Sequence, residues 1–250
     1  MLTESIFAGA YGAQSAMGSS LYSEGASFST ISSFRDRTYV LNGAVLAATG
    51  VADHEAFVKS VEEGLTESTV GSPAAPATHT YIGGEVRVHA PSSGFTHVAL
   101  AFNGPSSSVM QSVLKQCLTL QGASAFAAPG IVGVYGGAAS AAAGSVVDGL
   151  CDIASTKVSA DVLERAKALA KAEALFALEG DSRSLAEHMT SSVMESSTFS
   201  AAAIAASYDA ITSADVEAAL SAAMASKPVL ASVGDTSSIP YLASIASRFS

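Results

Sequence analysis

Apolar positions along the chain follow two patterns, spacings of three and four in some segments and unbroken or alternating runs in others, and these predict different elements. Residues 3–20 carry scattered apolar and small residues that suit a helix, with a loop at Ser19–Gly25 and a short helix around Ser32–Tyr39. The run Gly43-Ala-Val-Leu-Ala-Ala-Thr49 is continuously apolar and stops at Gly50, which predicts a buried strand. Asp53 then caps a helix over His54–Leu65, whose Phe57, Val58, Val61 and Leu65 share one face.

Residues 66–80 combine two prolines with Ser, Thr and Ala and show no periodicity, so they read as an exposed linker. Beyond them Glu85–Ala90 alternates, Pro91–Gly94 turns and Thr96–Phe102 resumes, which predicts a two-stranded hairpin. Ser106–Ser108 offers caps for a helix striped with Val109, Val113, Leu114, Cys117 and Leu118. Gln121–Gly130 reads as a small-residue loop and Ile131–Tyr135 as a short strand. Gly136–Gly144 is too rich in Ala and Gly for periodicity to assign.

A long helix is predicted over Ala160–Leu178, capped by Ser159 and built from good helix formers. Further helices are predicted near Ser184–Met194 and Ser213–Met224, the latter introduced by Thr212 with Glu217 as its capping partner. Val229–Val233 reads as a last strand, Gly234-Asp235 as a turn, and Ile239–Phe249 as a helix with Pro240 in its first turn. The sum is α+β, a sandwich of antiparallel or mixed sheet covered by helices, with no regular βαβ period.

Composition narrows the function classes. The chain has 250 residues, 49% of them hydrophobic, which is enough for a sizeable core. A net charge of −10 opposes a general nucleic-acid surface. The longest apolar runs fall well short of the ~20 residues a membrane-spanning helix needs, so any membrane link runs through partners. Cys117 and Cys151 lack CxxC spacing and sit in apolar helical contexts, which marks them as reduced core thiols. The N-terminus has neither a basic start with an apolar core nor an Arg-rich amphipathic pattern, so the chain is expected to be processed already or to carry its address elsewhere.

Candidate chemistry is sparse. There is no GxSxG elbow around Ser124, no GxGxxG in Gly130–Gly136 and no GxxxxGK[ST]. His89 and His97 would face each other across the hairpin, and with no third ligand they read as an ordinary cross-strand pair. His79 falls in the linker, and His188 beside Glu187 on an exposed helical face.

Four strings carry a family resemblance. Tyr39–Glu55, in which an apolar run leads to Gly50 and then Asp-His-Glu, resembles the end of the first homologous domain of the pitrilysin-like (M16) family, which includes the mitochondrial processing peptidases and the core proteins of respiratory complex III. Tyr81-Ile-Gly-Gly-Glu85 with Thr96–Phe102 resembles the opening of the second domain. Gln121–Gly130 is similar to the glycine-rich loop of the non-catalytic processing-peptidase subunit. Ile211–Val216, Lys227–Asp235 and Pro240–Leu242 resemble the closing helix, strand and turn, and favour the core-2 or α-type branch.

The resemblance implies residues 1–72 as the tail of a first domain, 73–80 as a linker and 81–250 as a second domain shortened between Gly130 and Ala160. It implies no enzyme: the family's peptidases hold zinc with HxxEH, and the one His-Glu pair here, His54-Glu55, has no second His at helical spacing. No cofactor or metal is expected. The implied role is a non-catalytic core scaffold of complex III, ubiquinol–cytochrome c reductase, peripheral on the matrix side of the mitochondrial inner membrane. Its implied partners are a paralogous core subunit, cytochrome b, cytochrome c1 and a separate chain supplying the first domain. The alternative is a presequence-presenting subunit of the processing peptidase, with Gly122, Ser124, Phe126, Pro129 and Gly130 as its peptide-contact loop.

Overall fold

The computed structural model describes residues 1–22, 25–66, 70–72, 78–194 and 199–249. In chain order its elements are α1 (Leu2–Tyr11), α2 (Phe28–Thr38), α3 (His54–Gly64), β1 (Glu85–His89), β2 (Phe95–Asn103), α4 (Ser108–Leu120), β3 (Ser124–Ala128), β4 (Ile131–Ala139), α5 (Ala143–Ser155), α6 (Ala160–Gly180), α7 (Ser182–Met194), α8 (Ala201–Asp209), α9 (Ser213–Ala225), β5 (Val229–Gly234) and α10 (Leu242–Ala246). Two compact units arise: Met1–Tyr22 with Thr78–Ala172 and Ala206–Ser250, and Ser23–Ala77 with Glu173–Ala205. The first helix thus joins the later sheet, although the sequence grouping of 1–72 places it with the residues that follow it. Of the expected linker, 67–69 and 73–77 lie outside the described residues.

The first unit holds a five-stranded mixed sheet in the order β1-β5-β2-β4-β3, the α+β fold class expected. β5 pairs parallel to β1 and antiparallel to β2, so the expected hairpin of β1 with β2 is opened by the C-terminal strand between them. The reason is burial on both faces. Val229, Leu230 and Ala231 have no exposed surface, and a run with no polar face belongs at the centre of a sheet.

Two layers flank the sheet. On one face α4 and α5 pack against β2, β3 and β4, with Val113, Leu114, Cys117, Val147 and Leu150 of the helices and Leu100 and Val134 of the strands buried. On the other, α1 lays Ile6 and Ala10 across Ala99, Ala101, Val229 and Ala231, where small side chains let the helix come close. A Cβ on Gly9 would stand 2.8 Å from Cγ1 of Val229, so this crossing needs a glycine. Full burial of a side chain such as Ile6 contributes about 1.5–3 kcal/mol.

Local chemistry sets the element ends. The Ser107 hydroxyl accepts from the Met110 N–H at 3.3 Å, and Asp53 accepts from the Ala56 N–H at 3.0 Å. At α9 the capping partner is Asp215, not Glu217: Thr212 Oγ1 accepts from the Asp215 N–H and Asp215 Oδ2 accepts from the Thr212 N–H. Asp215 is three residues into the helix and reaches back, whereas Glu217 is five residues in. The last helix is shorter than expected, α10 beginning two residues after Pro240 with Tyr241 extended at its N-cap. α5 and α8 occupy segments to which periodicity assigned nothing.

The open edge of β1 is closed by side chains. Arg87, ion-paired with Glu85, donates to the carbonyls of Thr236 at 3.0 Å, Ile239 at 3.1 Å and Pro240 at 2.9 Å, and lies over the Tyr241 ring. Glu85 in turn accepts from the Leu242 N–H at 3.0 Å. A charged pair on an edge strand here anchors the C-terminal segment.

The second unit contains α2, α3 and α7 and, among its described residues, no strand. Neither α2 nor α3 buries any residue, although α3 carries the expected apolar stripe. Gly43–Thr49, expected as a buried strand, lies outside any regular element, and Leu46 is 64% exposed. An apolar run becomes a strand only where a neighbour supplies N–H and C=O partners, and the described residues of this unit offer no strand to do so. Thr49 Oγ1 donates instead to the Ser182 carbonyl at 3.2 Å.

Candidate interaction surface

Of the five residues expected in a peptide-contact loop, four are built into a hairpin and one, Gly122, ends the helix before it. Gly122 follows α4 at φ 99° and closes its end by donating to the Thr119 carbonyl at 3.0 Å. Ser124 opens β3, Phe126 is its middle residue, and Pro129-Gly130 is the turn into β4. Gly130 has φ 73°, so a proline followed by a left-handed glycine matches the central pair of a type II turn. The expectation of a loop is therefore corrected. Its Ala and Ser residues have weak strand propensity, and β4, with Ile131, Val132 and Val134 buried, supplies the pairing they need.

Packing holds the hairpin from one side. The Tyr11 hydroxyl donates to the Pro129 carbonyl at 3.0 Å. Phe126 stands opposite Gly133, where a Cβ would lie 2.8 Å from the ring and 2.5 Å from the Leu100 carbonyl oxygen. The glycine gives the ring its seat. Between α1 and the hairpin opens an apolar cleft of about 300 Å³, lined by Leu2, Ile6, Phe7, Phe126 and Tyr135. Further along the same face, Phe95 and Tyr135 remain 42% and 44% exposed, and the His97 ring lies tilted beside Phe95 with the centroids 5.0 Å apart. β3 is the last strand of the sheet, so the hairpin presents an edge and an apolar cleft side by side.

Among the described residues the histidines do not come together. His89 lies opposite Gly234 and His97 opposite Val233, so β5 separates them and the two imidazoles stand on opposite faces of the sheet. The expected cross-strand histidine pair is not formed. His54 begins α3 next to its cap, His79 is exposed with its ring 6.1 Å from Tyr11, and His188 is exposed on α7 beside Glu187, which pairs with Arg183. Among the described residues no three His, Cys, Asp or Glu side chains come together as a metal site would require. Cys117 and Cys151 are buried free thiols, and burial pushes Cys117 up to about 11 and raises Cys151 as well. Such thiols are poor nucleophiles at neutral pH. No helix among the described residues is long and apolar enough to cross a membrane.

What this surface can do chemically is hold apolar side chains and pair with an extended backbone. Sequence reasoning found the hairpin residues but missed Tyr11, Phe7 and Tyr135, which make them a surface; nothing in the local pattern links residue 11 to residue 129. No family model and no curated protein matches the chain. Among solved structures it is similar to a chain of complex III2 from Candida albicans with Inz-5 bound, with a TM-score of 0.68 and 15% identity over 79% of this chain and 56% of that chain. The chain spans little more than half the length of the chain it matches, and the likeness is one of fold.

Proposed function

We propose that this chain is a non-catalytic scaffold subunit of respiratory complex III, related to the pitrilysin-like core proteins and peripheral on the matrix side of the mitochondrial inner membrane. The observation that carries the reading is the fold shared with a chain of complex III2 over 79% of this sequence. The sequence supports it: the zinc-binding HxxEH is absent, and His54-Glu55 heads a helix with no second His one turn on. In this reading residues 1–72 descend from a first domain and 81–250 form a second. The partners are a paralogous core subunit, cytochrome b, cytochrome c1 and a polypeptide that completes the first domain. The exposed Phe95 and Tyr135, beside the half-buried Phe126 and Phe7 of the cleft, suit apolar burial against such partners.

A second reading is favoured by one observation, the edge strand and apolar cleft of the β3–β4 hairpin in a chain of net charge −10. That combination suits an amphipathic, positively charged presequence presented to a zinc-bearing partner. Depletion of the chain in cells separates the two. Loss of assembled complex and of ubiquinol–cytochrome c reductase activity, with precursors still matured, supports the scaffold. Accumulation of unprocessed precursors ahead of any loss of complex supports presentation.

A further inference from the structure

The two ends of the sheet are finished differently. β1 carries the charged Glu85 and Arg87, and the contacts of that pair with Thr236, Ile239, Pro240 and Leu242 close its outer edge. β3, at the other end, reads Ser-Ala-Phe-Ala-Ala, with no charge, no proline inside the strand and, among the described residues, no element paired to its outer edge. Edge strands of proteins that stay apart carry charges, prolines or a cover, because a bare row of N–H and C=O groups invites another strand.

The turn fixes which groups face outward. Ala128 and Ile131 pair across the two-residue turn Pro129-Gly130, so these two exchange hydrogen bonds with each other. Ladder bonds alternate along an antiparallel strand, so Ser124, Phe126 and Ala128 direct their backbone groups to β4. Ala125 and Ala127 are the residues whose N–H and C=O point away from the sheet. Side chains alternate as well: Phe126 lies toward α1, and Ala125 and Ala127 present one methyl group each on the opposite face.

Charge narrows what fits this edge. Lys115 is the sole Asp, Glu, Lys or Arg between Arg87 and Asp148, so the net charge of −10 is carried by other parts of the chain. A basic segment finds no carboxylate along β3 itself. Two copies of the chain, whose net charges repel, can meet here with no like charges opposed.

We propose that β3 is the self-association edge of this chain, pairing antiparallel with β3 of a second copy about a two-fold axis at Phe126 and joining the two sheets into one. In that register Ala125 of each copy stands opposite Ala127 of the other and exchanges both hydrogen bonds with it, while Ser124 faces Ala128. Phe126 meets its own copy at the non-hydrogen-bonded position, where side chains approach closest, beside the two α1 clefts. The strand suits a two-fold contact because every position around the central ring is Ala or Ser.

Sedimentation of residues 1–250, with amide exchange read residue by residue in dilute and concentrated samples, tests this pairing. In the dilute chain Ser124, Phe126 and Ala128 are expected to be protected while Ala125 and Ala127 exchange freely. In the concentrated dimer the Ala125 and Ala127 amides are expected to slow at least ~10-fold. Ala127→Pro removes an outward N–H that the β3–β4 ladder does not use, and is expected to weaken dimerisation at least ~10-fold with the thermal transition unshifted. Ala127→Lys keeps the backbone intact, sets like charges beside the axis and is expected to weaken it too. A chain that stays monomeric up to ~1 mM overturns the proposal. So does a dimer that survives both variants or leaves the Ala125 and Ala127 amides fast. A basic amphipathic peptide that protects the same two amides and displaces the second copy at equimolar amounts assigns the edge to a foreign strand, and overturns it as well. The scaffold reading is tested separately, by the subunit composition of the native assembly.

Discussion

Gly133→Ala tests the account of the β3–β4 hairpin most sharply. The added Cβ would lie 2.5 Å from the Leu100 carbonyl oxygen, 2.9 Å from the Ala101 Cα and 2.8 Å from Phe126 Cζ. Two of these three neighbours are backbone of the adjacent β2 strand, which cannot rotate away, and one is a ring edge, which can. Overpacking of this kind costs about 1–3 kcal/mol. Removing a glycine from the unfolded ensemble offsets about 0.4–1 kcal/mol of that. A net loss of about 1–2 kcal/mol follows, equivalent to roughly 2–8 °C in Tm for a chain of this size. Chemical and thermal denaturation of Gly133→Ala, Phe126→Ala and the double variant give the cycle. Because the clash is mainly with backbone, Phe126→Ala is not expected to rescue it, and the coupling should stay below about 1 kcal/mol. A neutral or stabilised Gly133→Ala would refute the packing, and full rescue by Phe126→Ala would show that the ring alone sets the constraint.

Other consequences are equally open to measurement. Ser232 is fully buried and its hydroxyl has no partner among the described residues, so Ser232→Ala is expected to raise stability by about 1 kcal/mol in urea unfolding; a loss of that size would reveal a missed partner. Tyr11→Phe removes the hydrogen bond to Pro129 and should cost about 0.5–1.5 kcal/mol, with faster amide exchange concentrated in Ser124–Ala128; uniform or unchanged exchange counts against the pinning role. Neither thiol should react with a disulfide reagent at pH 8 in the folded chain, and both should react in denaturant. The folded state favours the protonated forms of Tyr81, held at about 12, and Cys117, held at about 11, so their contribution is complete below their ordinary values near 10 and 9. Tm should therefore be level up to about pH 9 and fall as pH rises through 11–12; a fall beginning near neutrality would point to other groups.

The sequence and the fold part company where pairing is distant. Val229–Gly234 and Gly43–Thr49 carry the same apolar signal, yet only the first becomes a strand, because β1 and β2 lie more than a hundred residues upstream and periodicity carries no information about them. The long helix α6 and the stripe of α4 were legible because their pattern is local and their caps, Ser159 and Ser107, sit beside them. Ser124–Ala128 and α5 were obscured by Ala, Ser and Gly, whose weak apolar contrast leaves no period to read. The Arg87 anchor was invisible, since its carbonyl partners are about 150 residues away. Of the candidate surface, Ser124, Phe126, Pro129 and Gly130 of the hairpin could be found locally, and the helix that gives them a cleft could not.

Native mass spectrometry of the membrane assembly containing this chain, after mild detergent extraction and with every subunit identified, tests the central claim most directly. The account predicts that the chain travels with cytochrome b, cytochrome c1 and a paralogous core subunit in one particle. A small soluble pair with a zinc-bearing peptidase, free of both cytochromes, would contradict it.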